Sequence, residues 1–356
     1  METPSTQFYV KPTMTPEREA FNGRLGQKNA APLWDVLGTI VPKEPQTPCV
    51  PAIWKYDQMR PLLMEAGRLI TAEEAERRVV MLENPGLRGK SRITQSLYAG
   101  LQLILPGEVA RTHRHTAAAL RLVIEGQGAY TSVDGERTTM HPGDFILTPS
   151  WTYHDHGNPG DTPVVWMDGL DIPIVNMFDS GFAEHHPDTI MSQSRSEGDA
   201  QVRYGSNLLP LEYAPQRKSS PLFAYPYAKT RDTLERMFHG GPLDPCHGIK
   251  VQFVNPVTGG YPMPTIGAFI QFLPSGFTSA PYRSTDATVF YVVEGRGTTR
   301  VSDTTLAWEP RDVFVVPSWG PVSHTASEDV VLFSFSDRPV QKALGIWRES
   351  VGGDAR

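Results

Sequence analysis

The chain has 356 residues, 39% hydrophobic and 20% charged, with a formal net charge of -6 at pH 7, which suits a globular chain of one large or two ordinary domains. No long basic run offsets that acidic balance, so a nucleic-acid partner is not expected. Cys49 and Cys246 are the only cysteines and neither sits in a C-x-x-C pattern, which excludes a disulfide scaffold or zinc–thiolate site and points to a reducing compartment.

The opening stretch METPSTQFYVKPTMTPE has no apolar core for a signal peptide, and no later run approaches a membrane span, so a cytoplasmic location is expected. Helix is expected first. Thr15 with Pro16 and Glu17 reads as a helix start, and Thr71 with Glu74 as a capping box ahead of AERRVVML. From about residue 93 the pattern becomes strand–turn–strand, through SLYAGLQLILPGE, LRLVIEGQGAYTSVDGERTTMHPGDFILTPSW and TPVVWMDGLDIPIV, with VDGE as a hairpin signal. The 32 prolines and 31 glycines suit short strands joined by tight turns, not a helical bundle. Residues 180–245 are irregular and Pro-rich, as in a linker, with some helix expected in KTRDTLERMFHG.

After that linker the first pattern returns. EGQG (125–128) aligns with EGRG (294–297), PGD (142–144) with PRD (310–312), and PSW (149–151) with PSW (317–319), all within one residue of a common register. That register marks an internal duplication of a mainly β unit. The copies differ in their histidines: His113, His115 and His154 become Tyr282, Ser284 and Val322, and only His156 keeps a counterpart, His324. Histidines needed for folding should persist in both copies, so the three that vanish have another task. Alternate residues of a strand face one side, which aims His113 and His115 together into a barrel interior, and His154 can supply a third imidazole to a metal at about 2.1 Å.

Gly107-x5-His113-x-His115 and Gly143-x5-Pro149-x4-His154-x3-Asn158 resemble the two signature motifs of the cupin superfamily, small jelly-roll β-barrels that hold a divalent metal. The glutamate ligand that many cupins place four residues after the second histidine is here Ala119, with Gly126 in its expected place, so the site resembles the three-histidine subclass. Together with ENPGL (83–87), SLYAGLQ (96–102), HRHT, PSWTYHDHGN and WMDGLDIP (166–173), the chain from about residue 30 to 345 resembles the gentisate 1,2-dioxygenases and their salicylate and 1-hydroxy-2-naphthoate dioxygenase relatives.

The resemblance implies a bicupin: a partly helical N-terminal arm (1–92), a metal-binding cupin (93–180), a linker (181–245), a second cupin without metal ligands (246–345) and a tail (346–356). It also implies one iron(II) per chain in the first cupin, an aromatic hydroxy-acid substrate, dioxygen, and a homotetramer active in aromatic catabolism. Three neutral imidazoles leave the metal its full +2 charge and open positions for a dianionic chelate and dioxygen; imidazole suits iron, zinc, copper or nickel, and only a redox-active metal activates oxygen.

Arg121 shares the parity of His113 and His115. It either grips a substrate carboxylate, as the resemblance implies, or pairs with an internal acid. The resemblance puts a second arginine at Arg77, although Arg77 and Arg78 both read as surface residues of a helix end. It gives Asp168 a hydrogen bond to a ring substituent para to the phenol; a turn-capping role before Gly169 is the plainer reading. His156 can exchange a proton with substrate or oxygen, though the persistence of His324 favours a part in the fold. Gln102 and Tyr98 alternate on their strand and can line the pocket, and Tyr98, a tryptophan in some salicylate-cleaving relatives, tilts the reading toward gentisate. A sibling activity on salicylates or hydroxynaphthoate, and a non-catalytic or sugar-binding cupin, are the rival readings.

Overall fold

A computed structural model describes residue 9 and residues 11–206, 208–213 and 217–352. The leading stretch METPSTQFYVKPTMTPE, where no signal peptide is expected, lies mostly outside them, and the last four residues of the tail lie wholly outside. The chain up to Thr47 is a unit of its own, with helices Pro16–Gly26 and Leu33–Ile40 joined by a hydrogen bond of 2.6 Å from Asn22 to Asp35. Thr15 caps the first of these helices through its side chain, as expected. Among the described residues no helix is long and apolar enough to cross a membrane.

Among the described residues from Pro48 onward, four antiparallel sheets form the larger unit. The first half contributes a six-stranded sheet in the order Ala224–Tyr225, Phe145–Thr148, Ala119–Glu125, Val164–Leu170, Tyr98–Ile104, Val79–Met81. Its five-stranded partner runs Ala183–His185, Val109–His115, His154–Gly157, Tyr130–Val133, Glu136–Thr139. The second half repeats the six-stranded order as Ala52–Trp54, Val313–Val316, Thr288–Glu294, Val330–Ser336, Gly267–Leu273, Ile249–Gln252. Its five-stranded sheet runs Glu349–Val351, Tyr282–Ser284, Val322–Ala326, Gly297–Val301, Thr304–Trp308. Strand for strand the orders agree, so the duplication seen in three short anchors extends to the whole topology.

Each barrel is closed at an edge by chain from outside its main run of strands. Ala52 pairs with Val315 of the second barrel, and Ala224 with Ile146 of the first. Such cover removes an exposed sheet edge. The central strands of the two six-stranded sheets are buried on both faces. One face lines its own barrel, while the other joins a core shared between the halves, which includes Leu101, Leu120 and Phe145 together with Ile270, Phe333 and Phe335. Strands such as Gly267–Leu273 and Val330–Ser336 are therefore buried at every position and read as near-continuous apolar runs. The outer strands Gly297–Val301 and Val322–Ala326 alternate instead.

The shared anchors prove to be turn devices. Gly126 and Gly295 take φ of 88° and 80°, and a Cβ there would stand 2.4 Å from the Pro163 carbonyl oxygen and 2.2 Å from that of Asp329. The PSW tryptophans, Trp151 and Trp319, also have positive φ, 57° and 62°, which is costly for a bulky residue. In both copies the same contacts hold them: Trp151 N–H donates to His115 O (2.8 Å) and Trp319 N–H to Ser284 O (2.7 Å), and Arg114 and Arg283 lie over their rings at 4.3 and 4.5 Å.

The VDGE turn joins strands Tyr130–Val133 and Glu136–Thr139, and KTRDTLERMFHG falls in helix Tyr227–Gly240, as expected. One expectation needs correcting. The Thr71–Glu74 capping box forms, but its helix is one turn, Ala72–Ala75, and AERRVVML does not continue it. Glu76 takes φ of 53°, and β-branched Val79 and Val80 pair with Gln102 and Leu101 as a sheet edge.

Gly126→Ala should cost about 1–3 kcal/mol in chemical denaturation, from positive φ and a backbone collision together, and Gly295→Ala the same. Unchanged stability in either would show that these turns relax.

Candidate metal centre

Register brings the three singled-out histidines together. His113 pairs directly with His154 across strands Val109–His115 and His154–Gly157, after a bulge between Ala110 and His113. His115 lies two residues on, with the same parity. The ring centroids of the three are 4.6 to 5.2 Å apart, and their candidate ligand nitrogens all lie within 4.8 Å of one another. Arg114, between the two histidines, faces outward, with Trp151 and Tyr153 at 4.3 and 4.4 Å and an ion pair to Glu184 at 2.6 Å.

Backbone carbonyls fix two of the rings. His115 Nδ1–H donates to Ala117 O (2.7 Å) and His154 Nδ1–H to Thr152 O (2.9 Å). A carbonyl can only accept, so Nδ1 carries the proton and Nε2 presents a lone pair. His154 Nε2 is buried with no protein partner. Burial and the guanidiniums of Arg77 and Arg121 hold the imidazoles neutral, with His113 lowered to about 2, His115 to about 4, and His154 well below the ordinary value. Neutral, convergent nitrogens and a buried lone pair without a partner fit a divalent metal ion.

The other expected site residues gather around this triad. Arg121 is buried; its Nη1 donates to the Thr148 hydroxyl (2.6 Å), and its Nε lies 3.3 Å from Asp168 Oδ1. Asp168 stands directly opposite it in register. An internal acid therefore does pair with Arg121, and it is the residue expected to meet a ring substituent. Asp168 Oδ1 also accepts from Trp166 Nε1 (3.1 Å), and among the described residues Oδ2 accepts no hydrogen bond. Burial pushes Asp168 up to about 6, against the pull of Arg121.

Arg77 leaves the end of its single-turn helix toward the triad, donating to Arg111 O (2.7 Å) with Nη2 3.4 Å from His113 Nε2. Arg78 is not a surface residue: it is buried and grips Glu108 bidentately at 2.7 and 2.8 Å. Gln102 is buried and faces Val79 and Trp166 across the sheet, and Tyr98 is half-buried within the field of Asp168. His156 places Nδ1 2.9 Å from the Thr131 hydroxyl and buries a bare Nε2. His324 repeats this bond to Thr299 at 2.8 Å, so half of the His156 environment belongs to the fold.

Sequence reasoning missed Thr148, Trp166 and Thr131, the residues that orient Arg121, Asp168 and His156. The parity that links Trp166 to Asp168 was a usable signal. The cross-strand partners Thr148 and Thr131 left none.

The cupin domain family matches residues 100–172. A gentisate 1,2-dioxygenase of Aquipseudomonas alcaligenes is 56% identical over 96% of this chain and 99% of its own. A gentisate 1,2-dioxygenase of a Streptomyces species is 38% identical over 90% of this chain and 92% of its own. Among solved structures, the salicylate 1,2-dioxygenase of Pseudoaminobacter salicylatoxidans with gentisate superposes with a TM-score of 0.91 at 35% identity, covering 97% of this chain and 96% of that one.

The lowered imidazole pKa values fix a pH dependence. Free histidine titrates near 6.5 but His115 only near 4, so the unfolded metal-free chain binds more protons in that window and stability should fall as pH drops through it. Metal content should be flat from about pH 6 to 8 and decline toward pH 4, because protons compete only near the lowered values. Dialysis with metal analysis at stepped pH checks this; loss centred on pH 6.5 would mean that the triad titrates like free histidine.

Proposed function

The chain belongs to the gentisate 1,2-dioxygenase family, and from that premise we propose that it opens gentisate between the carboxyl- and hydroxyl-bearing carbons to give maleylpyruvate. It uses dioxygen and one iron(II) per chain, held in the first barrel by His113, His115 and His154. The observation that carries this reading is an all-imidazole triad beside a buried guanidinium–carboxylate pair, a site with surplus positive charge and one acid left to read the ligand. Iron(II) bound there supplies redox chemistry toward dioxygen and a chelation point for an ortho-hydroxycarboxylate.

The residues divide the remaining work. Arg121, held by Thr148 at Nη1 and near Asp168 at Nε, turns its charge to the substrate carboxylate, and Arg77 adds a second positive charge beside His113. Asp168 Oδ2 accepts from the 5-hydroxyl of gentisate, which salicylate lacks. His156, anchored through Nδ1, exchanges a proton with the substrate hydroxyl or with oxygen through Nε2. Gln102 and Tyr98 line the cavity and exclude water from the reacting ring. The protein works in the cytoplasm as a homotetramer, in which residues 93–180 and 246–345 form the bodies of the two barrels and the flanking segments lend them edge strands.

Ultraviolet and oxygen-uptake assays of the iron-reconstituted chain on gentisate, salicylate, substituted salicylates and 1-hydroxy-2-naphthoate test the reading. A sibling substrate turned over faster would replace gentisate, and no oxygen uptake would leave a binding cupin.

Arg121→Ala should keep near-normal iron and lose roughly 2–5 kcal/mol of transition-state stabilisation in kcat/KM, partly because Asp168 is left buried and unpaired. Iron loss would make Arg121 structural. Asp168→Ala should lower gentisate turnover far more than salicylate turnover; equal losses would confine Asp168 to holding Arg121. Ala119→Glu, on the same buried strand face as Arg121, should fold and bind metal yet lose ring cleavage, since its carboxylate takes an open position and lowers the site charge from +2 to +1. Wild-type oxygen uptake with metal bound would mean that Ala119 does not face the ion.

A further inference from the structure

The second barrel is filled where the first is functional. Phe290 stands where the first barrel carries Arg121 and stacks on Phe314 at 4.9 Å, and Val322 stands at the position of His154. A cation is nevertheless present, delivered from a neighbouring strand. Lys250, in Ile249–Gln252, pairs in register with Gln271 and lies 5.3 and 5.5 Å from the ring centroids of Phe269 and Phe290. Among the described residues its ammonium has no hydrogen bond and no ion pair.

The carboxylate in the same cavity makes no ion pair with it and has other partners. Asp286 already accepts from Arg338 Nε (3.1 Å) and Trp347 Nε1 (2.7 Å). Among the lining residues Lys250 and Arg338 against Asp286 leave one surplus positive charge, with Glu349 one hydrogen bond further out on the Tyr282 hydroxyl. His247 and His324 also face the space, and burial holds them neutral, at about 4 and 3. They can donate N–H but add no charge. Burial and the neighbouring Arg338 press Lys250 down to about 7, against the pull of Asp286.

The cavity these groups enclose is small, about 20 Å³, room for a particle of water or chloride size. Aromatic faces attract an ammonium but do not neutralise it. We propose that the second barrel binds a monatomic monovalent anion of chloride size against Lys250, so that the duplicated cupins hold ions of opposite sign. The proposal is independent of the substrate assigned to the first barrel.

The test uses the iron-loaded full chain. Binding to the folded state alone raises Tm by mass action. Tm should therefore rise saturably with sodium chloride, relative to sodium gluconate at equal ionic strength. Crystals soaked in bromide should show an anomalous peak in contact with Lys250 Nζ. Lys250→Met should abolish the chloride-dependent shift while leaving oxygen uptake unchanged, and Lys250→Gln replaces it if that chain does not fold. Equal Tm in the two salts, an unchanged shift in the lysine variant, or no bromide peak in the second barrel would each overturn the proposal.

Discussion

Everything in the first barrel depends on keeping imidazole uncharged beside guanidinium. Three histidines converge within a few ångströms while two arginines stand at their flank, and protonating any ring would put like charges together in a low-dielectric interior. The structure resolves this with fixed tautomers: backbone carbonyls at Ala117 and Thr152 accept hydrogen bonds from the Nδ1–H of His115 and His154, which leaves the lone pairs on Nε2. The arginines thereby help prepare a metal site, because their field keeps the ligands in the only protonation state that can coordinate.

The duplication separates what the fold requires from what the site requires. Both halves keep the left-handed glycine after the glutamate, the strained tryptophan of PSW with its arginine, and the histidine–threonine hydrogen bond. They diverge at Arg121, His113, His115 and His154, whose places are taken by Phe290, Tyr282, Ser284 and Val322. Apolar and aromatic fill in the second barrel compensates for the space a cofactor site would occupy. That barrel contributes to the first through the core the two six-stranded sheets share, and through Asp171, which accepts from Ala118 N–H (2.7 Å) and from the Thr265 hydroxyl of the other half.

Much of this was legible in the chain. Strand parity placed His113 and His115 on one face, spacing supplied His154, and three short anchors revealed the repeat. Contacts that depend on register between distant strands were not legible. Nothing in the spacing of Arg121 and Asp168 announces that they face each other, because a bulge at Val165 and Trp166 shifts the pairing, and Thr148 and Thr131 reach their partners across strands. The single-turn helix after Thr71 was overestimated for a similar reason: a good cap starts a helix, but the edge of a sheet claims Val79 and Val80.

The central claim is that one barrel alone carries the metal and meets the substrate carboxylate. An anomalous difference map at the iron edge, from iron-reconstituted crystals soaked anaerobically with gentisate, tests it most directly. The account predicts one iron peak per chain on the Nε2 atoms of His113, His115 and His154, with the gentisate carboxylate on Arg121 and its 5-hydroxyl on Asp168. An iron peak in the second barrel, or gentisate bound away from Arg121, would contradict it.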